Sequence, residues 1–123
     1  MRVLVVDDSS TMRRIIVNAL KKLGYEDTFE ASDGLEALKS LGTSHADVIV
    51  TDWNMPEMTG PQFVEALRAQ PAHAKVPVLM VTTQAAQEDV IVALRAGVND
   101  YLIKPFTSDA LKDKLQALLA KEH

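Results

Sequence analysis

Short apolar runs alternate with amphipathic segments along this chain. Most of the runs are rich in β-branched residues and lead directly into polar ones, which is typical of strands that are buried on both faces of a parallel sheet. The predicted strands cover residues 3–6, 28–31, 48–50, 78–81 and 101–103. Among them, the segment 28–31 has the weakest apolar pattern. A proline at position 77 is compatible with the start of the fourth strand.

The amphipathic segments predict helices over residues 10–23, 34–41, 61–68, 87–96 and 108–121. Ser9 or Ser10 can cap the first helix, Gly24 and Gly97 follow the ends of two helices, and Pro61 suits a first helical position. The apolar positions of the first two helices are Met12, Ile15, Ile16, Ala19, Leu20 and Leu23, then Leu35, Leu38 and Leu41. This spacing of three and four residues predicts one buried face for each helix.

A strict alternation of strand and helix predicts an α/β fold. Parallel strands joined by helical crossovers form an open, doubly wound sheet with helices on both faces. The alternation extends from residue 2 to about residue 121 without a break in composition, and 123 residues suit one domain. We therefore expect a single domain covering residues 1–123.

Composition and charge narrow the class of protein further. With 47% apolar and 24% charged residues the chain is not disordered or fibrous, and without cysteine it has no disulfide, thiolate zinc site or iron–sulfur cluster. A net charge of −4 argues against nucleic-acid binding, and the basic doublets Arg13-Arg14 and Lys21-Lys22 are expected on solvated helix faces. No apolar run approaches the roughly 20 residues of a membrane span. We expect a cytoplasmic protein without nucleic-acid or membrane partners.

Polar residues gather where four of the predicted strands end. They are Asp7 and Asp8, then Asp52, then Thr82 and Thr83, and finally Lys104. If these strands are neighbours, three carboxylates share one rim, and two carboxylates about 4 Å apart repel by about 4 kcal/mol at an effective dielectric near 20. A hard divalent cation such as Mg²⁺ balances such a site, and together with the hydroxyl and the ammonium it suits a phosphoryl group with an aspartate nucleophile.

Taken one at a time, these residues have ordinary explanations as helix caps, turn residues or surface charges. Their joint occurrence at four strand ends is what indicates a site. Nucleotide-binding glycine motifs are absent from the sequence, and His45, His73 and His123 are too scattered for a zinc site or a catalytic triad.

Four segments resemble the receiver domains of two-component response regulators: VLVVDDSSTMRR, VIVTDWNMPEMTG, PVLMVTT and YLIKPF. The resemblance covers the whole chain, and the STMRR and DWNMP stretches are most similar to the stand-alone chemotaxis regulators of that family. It implies a flavodoxin-like (βα)5 fold with strand order 2-1-3-4-5, an order known for the family. Two residues on the rim depart from the pattern: Thr59, where the family often has Asp or Asn, and Pro61, which follows the loop glycine Gly60.

The resemblance also implies a role for each site residue. Asp52 would accept a phosphoryl group from the phosphohistidine of a sensor histidine kinase. One Mg²⁺ would be held by Asp7, Asp8, Asp52 and the backbone carbonyl of Asn54. Lys104 would pair with the phosphoryl oxygens, and its peptide bond to Pro105 would be cis.

Signal output is implied at a second place. Thr82 would move toward the phosphoryl group and Tyr101 would swing inward, which would change an output face that includes Val90, Leu94 and Lys114. The residues expected to modulate the lifetime of the phosphoryl group are Trp53, Thr83 and Gln84. The implied partners are an output protein such as the flagellar motor switch and a phosphatase, with the chain itself a monomer.

Two other functions stay open at this point. A phosphate sink or phosphorelay shuttle would use the same chemistry without an output partner. A Mg²⁺-dependent phosphohydrolase would need a general acid near Asp52, and Asn54 is unsuited to that role. We therefore expect a phospho-accepting switch that catalyses only its own phosphotransfer and autodephosphorylation.

Overall fold

Five strands and five helices alternate in the computed structural model, which describes residues 1–120. The strands are β1 (Arg2–Val6), β2 (Asp27–Ala31), β3 (Val48–Thr51), β4 (Val78–Thr82) and β5 (Asp100–Ile103). The helices are α1 (Ser10–Lys22), α2 (Gly34–Leu41), α3 (Gly60–Arg68), α4 (Gln87–Ala96) and α5 (Ser108–Ala120), with a short 3-10 helix at Pro71–His73. Lys121, the predicted last residue of the fifth helix, and His123 lie outside the described residues.

The strands form one parallel sheet in the order β2-β1-β3-β4-β5. This confirms the predicted doubly wound α/β fold and its strand order. Val6 pairs with Ala31 on one side and Thr51 on the other, and Thr82 pairs with Ile103. The carboxyl ends of all five strands therefore lie along one edge of the sheet, where ligands of open α/β folds bind.

Alternate residues of the central strands supply two hydrophobic layers. Val3 and Val5 pack with α1 and α5 on one face, whereas Leu4 and Val6 pack with α2 and α3 on the other. Strands β1, β3 and β4 are buried almost throughout, because both faces are covered by helices. The edge strands β2 and β5 are only partly buried. This explains why β2 has the weakest apolar signal.

Helix ends agree closely with the prediction, and Ser9 is the residue that caps α1 by accepting a hydrogen bond from the Met12 amide at 3.1 Å. Helix α3 begins one residue earlier than predicted, at Gly60, because Thr59 forms a capping box with Gln62. A glycine is required after α4, where Gly97 has φ 112°.

Two predicted apolar positions do not face the core. Ile15 is 48% exposed on α1 and Leu35 is 50% exposed on α2, where Gly34, Ala37 and Leu41 are buried instead. Helical spacing alone does not distinguish the centre of an apolar stripe from its margin. Among the described residues, we find no helix that is both long enough and apolar enough to span a bilayer.

Candidate functional site

Three carboxylates converge at the carboxyl edge of the sheet. One oxygen atom from each of Asp7, Asp8 and Asp52 lies within 4.8 Å of the other two. The strands explain this arrangement, because β1 and β3 are adjacent and Val6 pairs with Thr51, immediately before the acidic residues. The sequence analysis expected these three residues to share one rim, and the structure brings them together.

Asp7 is the most firmly held of the three acids. Its side chain is 1% exposed, Oδ1 accepts a hydrogen bond from the Ser9 amide at 2.9 Å, and Oδ2 lies 3.1 Å from Nζ of Lys104. Its backbone amide donates to the carbonyl of Ala31 at 3.2 Å. Asp8, by contrast, is exposed.

Asp52 lies beside both the acids and the lysine. Its Oδ1 accepts a hydrogen bond from the Trp53 amide at 2.7 Å, and its Oδ2 is 3.4 Å from Nζ of Lys104. Burial raises the pKa of Asp52 above the ordinary value, and the negative charge of Asp7 adds to this rise. The Trp53 hydrogen bond and the Lys104 charge oppose it. Burial therefore removes water from the Asp52 carboxylate, and the Lys104 ammonium and the Trp53 hydrogen bond offset that loss only in part.

A close backbone approach shapes the loop behind Asp52. The Gly60 amide donates to the Trp53 carbonyl at 2.7 Å, and a Cβ at position 60 would clash with the carbonyl oxygen of Asp52. Only glycine fits there, which explains why this residue type occupies position 60. The predicted modulator Trp53 is half-buried, and Asn54 is exposed in the same loop. The carbonyl ligand assigned to Asn54 stays a prediction.

Lys104 is placed by the end of β5. Its backbone amide donates to the Thr82 carbonyl at 2.9 Å, and the following bond to Pro105 is cis. The side chain is 11% exposed and its ammonium contacts both Asp7 and Asp52. One ammonium among three carboxylates leaves a net negative charge. An all-oxygen, net-negative donor set of this kind fits Mg²⁺.

A chain of hydrogen bonds leads from Thr82 toward α4 and β5. Thr82 is fully buried and its hydroxyl accepts from the Gln84 amide at 3.2 Å, while the carbonyl of Gln84 accepts from the Tyr101 hydroxyl at 2.8 Å. Burial raises the pKa of Tyr101 to about 12, and the negative charges of Asp89 and Asp52 contribute. The predicted modulator Thr83 is exposed.

The predicted output face is partly exposed and more apolar than expected. Leu94 is 49% exposed, Val90 is half-buried, and Lys114 forms an ion pair with Asp100 at 3.0 Å. The sequence analysis missed Ile91 and Ile103, which are 41% and 39% exposed beside these residues. Their positions were predictable from spacing: Ile91 is three residues before Leu94, and Ile103 is two residues after Tyr101 on one strand.

A second functional candidate was also missed. Arg13 was expected on a solvated helix face, but its side chain is only 18% exposed and Nη1 donates to the backbone carbonyl of Asp7 at 2.6 Å. That expectation is wrong for Arg13. Its neighbour Arg14 is exposed, as predicted. No local signal separates the two arginines, because the contact depends on how α1 packs over the β1 end.

The fold and the acidic cluster define a class of protein: a doubly wound domain with a cluster of three carboxylates at the carboxyl edge of its sheet. Residues 3–116 match the family model described as the response regulator receiver domain. The chain therefore belongs to the response regulator receiver family. Receiver domains of this family are signalling switches with a Mg²⁺ site formed by acidic residues, and Asp7, Asp8 and Asp52 match that requirement.

Comparison with individual proteins supports this assignment. The chain is 52% identical over 120 residues to the chemotaxis protein CheY1 of Helicobacter pylori, covering 97% of each chain. The structure of the chemotaxis protein CheY4 of Vibrio cholerae matches with a TM-score of 0.90 at 39% identity, covering 96% of this chain and 98% of that one.

A third relative is described with its metal. It is the receiver domain of a sensor histidine kinase from Pseudomonas aeruginosa, solved with a magnesium ion coordinated in the active site cleft. It matches with a TM-score of 0.88 at 33% identity and covers 97% of each chain.

Proposed function

We propose that Asp52 accepts a phosphoryl group from the phosphohistidine of a sensor histidine kinase. The observation that carries this proposal is the position of its carboxylate, 3.4 Å from the Lys104 ammonium and inside the cluster with Asp7 and Asp8. In the transfer, the P–N bond to the histidine breaks while a P–O bond to Asp52 forms. The imidazole leaves with the bonding electron pair and takes up a proton from solvent.

The surrounding charges support this reaction. Mg²⁺, held by Asp7, Asp8, Asp52 and the Asn54 carbonyl, would screen the repulsion between the carboxylate and the incoming phosphoryl oxygens. Lys104 already contacts Asp52 and is placed to pair with the same oxygens after transfer. Since these charges are in place before the reaction, little reorganisation opposes it. Autodephosphorylation then hydrolyses the acyl phosphate and restores the carboxylate.

Output follows through the hydrogen-bond chain from Thr82 to Tyr101. A phosphoryl group on Asp52 offers the Thr82 hydroxyl a charged acceptor, and turning toward it would move the oxygen that now accepts from the Gln84 amide. Moving Thr82 would disturb Gln84, whose carbonyl holds the Tyr101 hydroxyl at 2.8 Å. Tyr101 would then swing inward and change the exposed face formed by α4, β5 and α5. Differential contacts of this kind are what a ligand needs to shift a conformational equilibrium.

The biological setting is proposed from the relatives. Similar proteins are named chemotaxis proteins and match this chain over nearly their whole length. We therefore place the protein in a chemotaxis pathway in the cytoplasm. It acts there as a monomeric domain of residues 1–123 that binds the flagellar motor switch and is reset by a phosphatase. The exposed apolar residues Ile91, Leu94 and Ile103 favour an output partner over a phosphate sink.

Acetyl phosphate tests the phosphoacceptor directly. With Mg²⁺ present, we expect one added phosphoryl group by intact mass and a change in Trp53 fluorescence. Asp52→Asn should show neither signal, whereas the exposed Asp113→Asn control should behave like the wild type. Phosphorylation that persists in Asp52→Asn would place the nucleophile elsewhere.

The phosphate-sink alternative needs a separate experiment. A phosphorylated sink returns its phosphoryl group rapidly to a histidine phosphotransfer domain and binds a motor-switch peptide no better than the unphosphorylated form does. We expect the reverse result: slow return and a clear gain in peptide binding upon phosphorylation.

A further inference from the structure

Arg13 links the acidic site to the edge strand β2. Its Nη1 donates to the backbone carbonyl of Asp7 at 2.6 Å, and its Nε lies 3.0 Å from Oε1 of Glu30. The guanidinium is therefore held between a strand end and a carboxylate, and its side chain is only 18% exposed. An ion pair with Glu30 alone would contribute little at the surface. The hydrogen bond to the Asp7 carbonyl is therefore the contact that connects Arg13 with the acidic site.

That carbonyl belongs to the peptide bond that joins Asp7 to Asp8. The peptide unit is planar, so a hydrogen bond to its oxygen helps to fix the orientation of the whole unit. Asp7 is also held through the Ser9 amide, the Ala31 carbonyl and Lys104. The Asp8 side chain is exposed, so its direction depends on how the Asp7–Asp8 peptide unit is oriented.

We infer that Arg13 is a positioning residue for the metal site: through the Asp7 carbonyl it orients the peptide that carries Asp8, and Glu30 holds the guanidinium in place. The inference rests on the proposed metal-binding function of these acids. Groups that orient the ligands of a metal commonly change its affinity by about 10- to 100-fold when they are removed.

Positioning and simple electrostatics predict opposite results. Arg13 is a positive charge beside a cation site, so removing it would strengthen Mg²⁺ binding if charge alone mattered. If Arg13 orients the Asp8 peptide, removing it weakens Mg²⁺ binding despite the gain in negative charge. The neighbouring Arg14 is exposed and provides a control with the same change in charge.

A Mg²⁺ titration monitored by Trp53 fluorescence distinguishes the positioning role of Arg13 from a purely electrostatic one. We expect Arg13→Gln to raise the Mg²⁺ dissociation constant about tenfold. Arg13→Lys should recover part of this loss, because an ammonium can still reach the carbonyl. Glu30→Gln should weaken binding by less than Arg13→Gln does, and Arg14→Gln should leave it unchanged or slightly tighter. If Arg13→Gln binds Mg²⁺ as tightly as Arg14→Gln, the positioning role is wrong.

A measurement without metal completes the test. In metal-free protein, amide hydrogen exchange at Asp8 and Ser9 should be faster in Arg13→Gln than in Arg14→Gln, and unchanged exchange would overturn the inference. Should Arg13→Gln fail to fold, Arg13→Lys carries the comparison, because it keeps the positive charge and changes only the geometry of the donor. If the wild type itself shows no Mg²⁺ binding by calorimetry, the proposed metal site fails. Normal binding by both the wild type and Arg13→Gln defeats only the role of Arg13.

Discussion

The acidic site adjoins the exposed surface of α4 and β5 (the α4–β5 face), since Lys104 directly follows β5. The two regions are built in opposite ways. At the acidic site, Asp7 has both carboxylate oxygens, its amide and its carbonyl in hydrogen bonds or ion pairs. The α4–β5 face instead exposes Ile91, Leu94 and Ile103 to solvent. Its hydrogen bond to the site region runs from the Tyr101 hydroxyl to a backbone carbonyl.

The helices repeat the same contrast. Side chains of Ser9, Asp33 and Thr59 cap α1, α2 and α3, whereas Ala86 begins α4 without a side-chain hydrogen bond. Charged groups stabilise a reaction most effectively when they already have the required geometry before the reaction begins. A surface that must change with phosphorylation benefits from few fixed contacts at its movable end. The comparison thus separates a rigid chemical site from an adaptable recognition face.

Removing Asp8 should have the largest effect on the acidic site. Asp8→Ala is expected to weaken Mg²⁺ binding by at least about tenfold, because one of the carboxylate ligands is lost. Asp8 is exposed, so the fold should tolerate the change. Calorimetric titration with Mg²⁺ measures the effect, and the exposed Asp113→Ala serves as the charge control. Equal affinities in the two variants would remove Asp8 from the site.

The far end of α4 offers the largest expected effect on stability. Arg68 donates hydrogen bonds to the carbonyls of Gly97 and His73 and to the side chain of Asn99. Arg68→Met should lower the free energy of unfolding by about 2–3 kcal/mol, since these carbonyls lose charged donors. The exposed Arg95→Met should change it by less than about 0.5 kcal/mol. Urea unfolding compares them, and similar values would show that this end of α4 is not anchored.

Asp52→Asn should stabilise the metal-free protein at neutral pH by about 1 kcal/mol. The folded-state pKa of Asp52 is raised, mainly by burial, so ionisation above the ordinary value of 3.8 costs the wild type stability. This cost is absent below the ordinary value and grows as pH rises through the folded-state pKa. The advantage of the variant should therefore shrink as pH falls toward about 4.

Urea unfolding in the presence of a chelator, at about pH 4 and about pH 7, checks this sign. Asp113→Asn at an exposed position provides the comparison. If Asp52→Asn is less stable than the wild type at neutral pH, the contacts of Asp52 with Lys104 and Trp53 outweigh its desolvation. The acidic site would then be a stabilising feature of the fold.

The smallest effect on the acidic site is expected at Tyr101. Tyr101→Phe removes the hydrogen bond to the Gln84 carbonyl and should cost less than about 1.5 kcal/mol. Amide exchange in the loop of residues 83–86 should accelerate, while phosphorylation of Asp52 by acetyl phosphate stays at the wild-type level. Tyr25→Phe is the control for loss of a hydroxyl. Slower phosphorylation in Tyr101→Phe would show that the two regions are not separable.

Much of the fold was predictable from local patterns. β-branched runs located the strands, and capping residues such as Ser9 and glycines such as Gly97 marked helix ends to within a residue or two. The site acids were predictable because parallel strands place their carboxyl ends on one edge. The strand order came from the family resemblance, since local patterns do not state which strands pair.

Other features had no local signal. Ile15 and Leu35 have helical spacing like their buried neighbours, yet they lie at the margin of the packed surface. These properties follow from packing between elements that are distant in sequence. Periodicity along a single element carries no information about that packing.

Local sequence patterns are sufficient to define this protein as an alternating α/β chain with acidic residues, a threonine and a lysine at the strand ends. Those features depend on neighbouring residues, and short-range sterics and hydrophobic periodicity control them. Packing between distant elements buries Asp7 and leaves Asp8 exposed, and it turns Arg13 toward the Asp7 carbonyl while Arg14 is exposed. Adjacent residues of the same type differ there because burial and hydrogen bonding depend on what packs across the strand end.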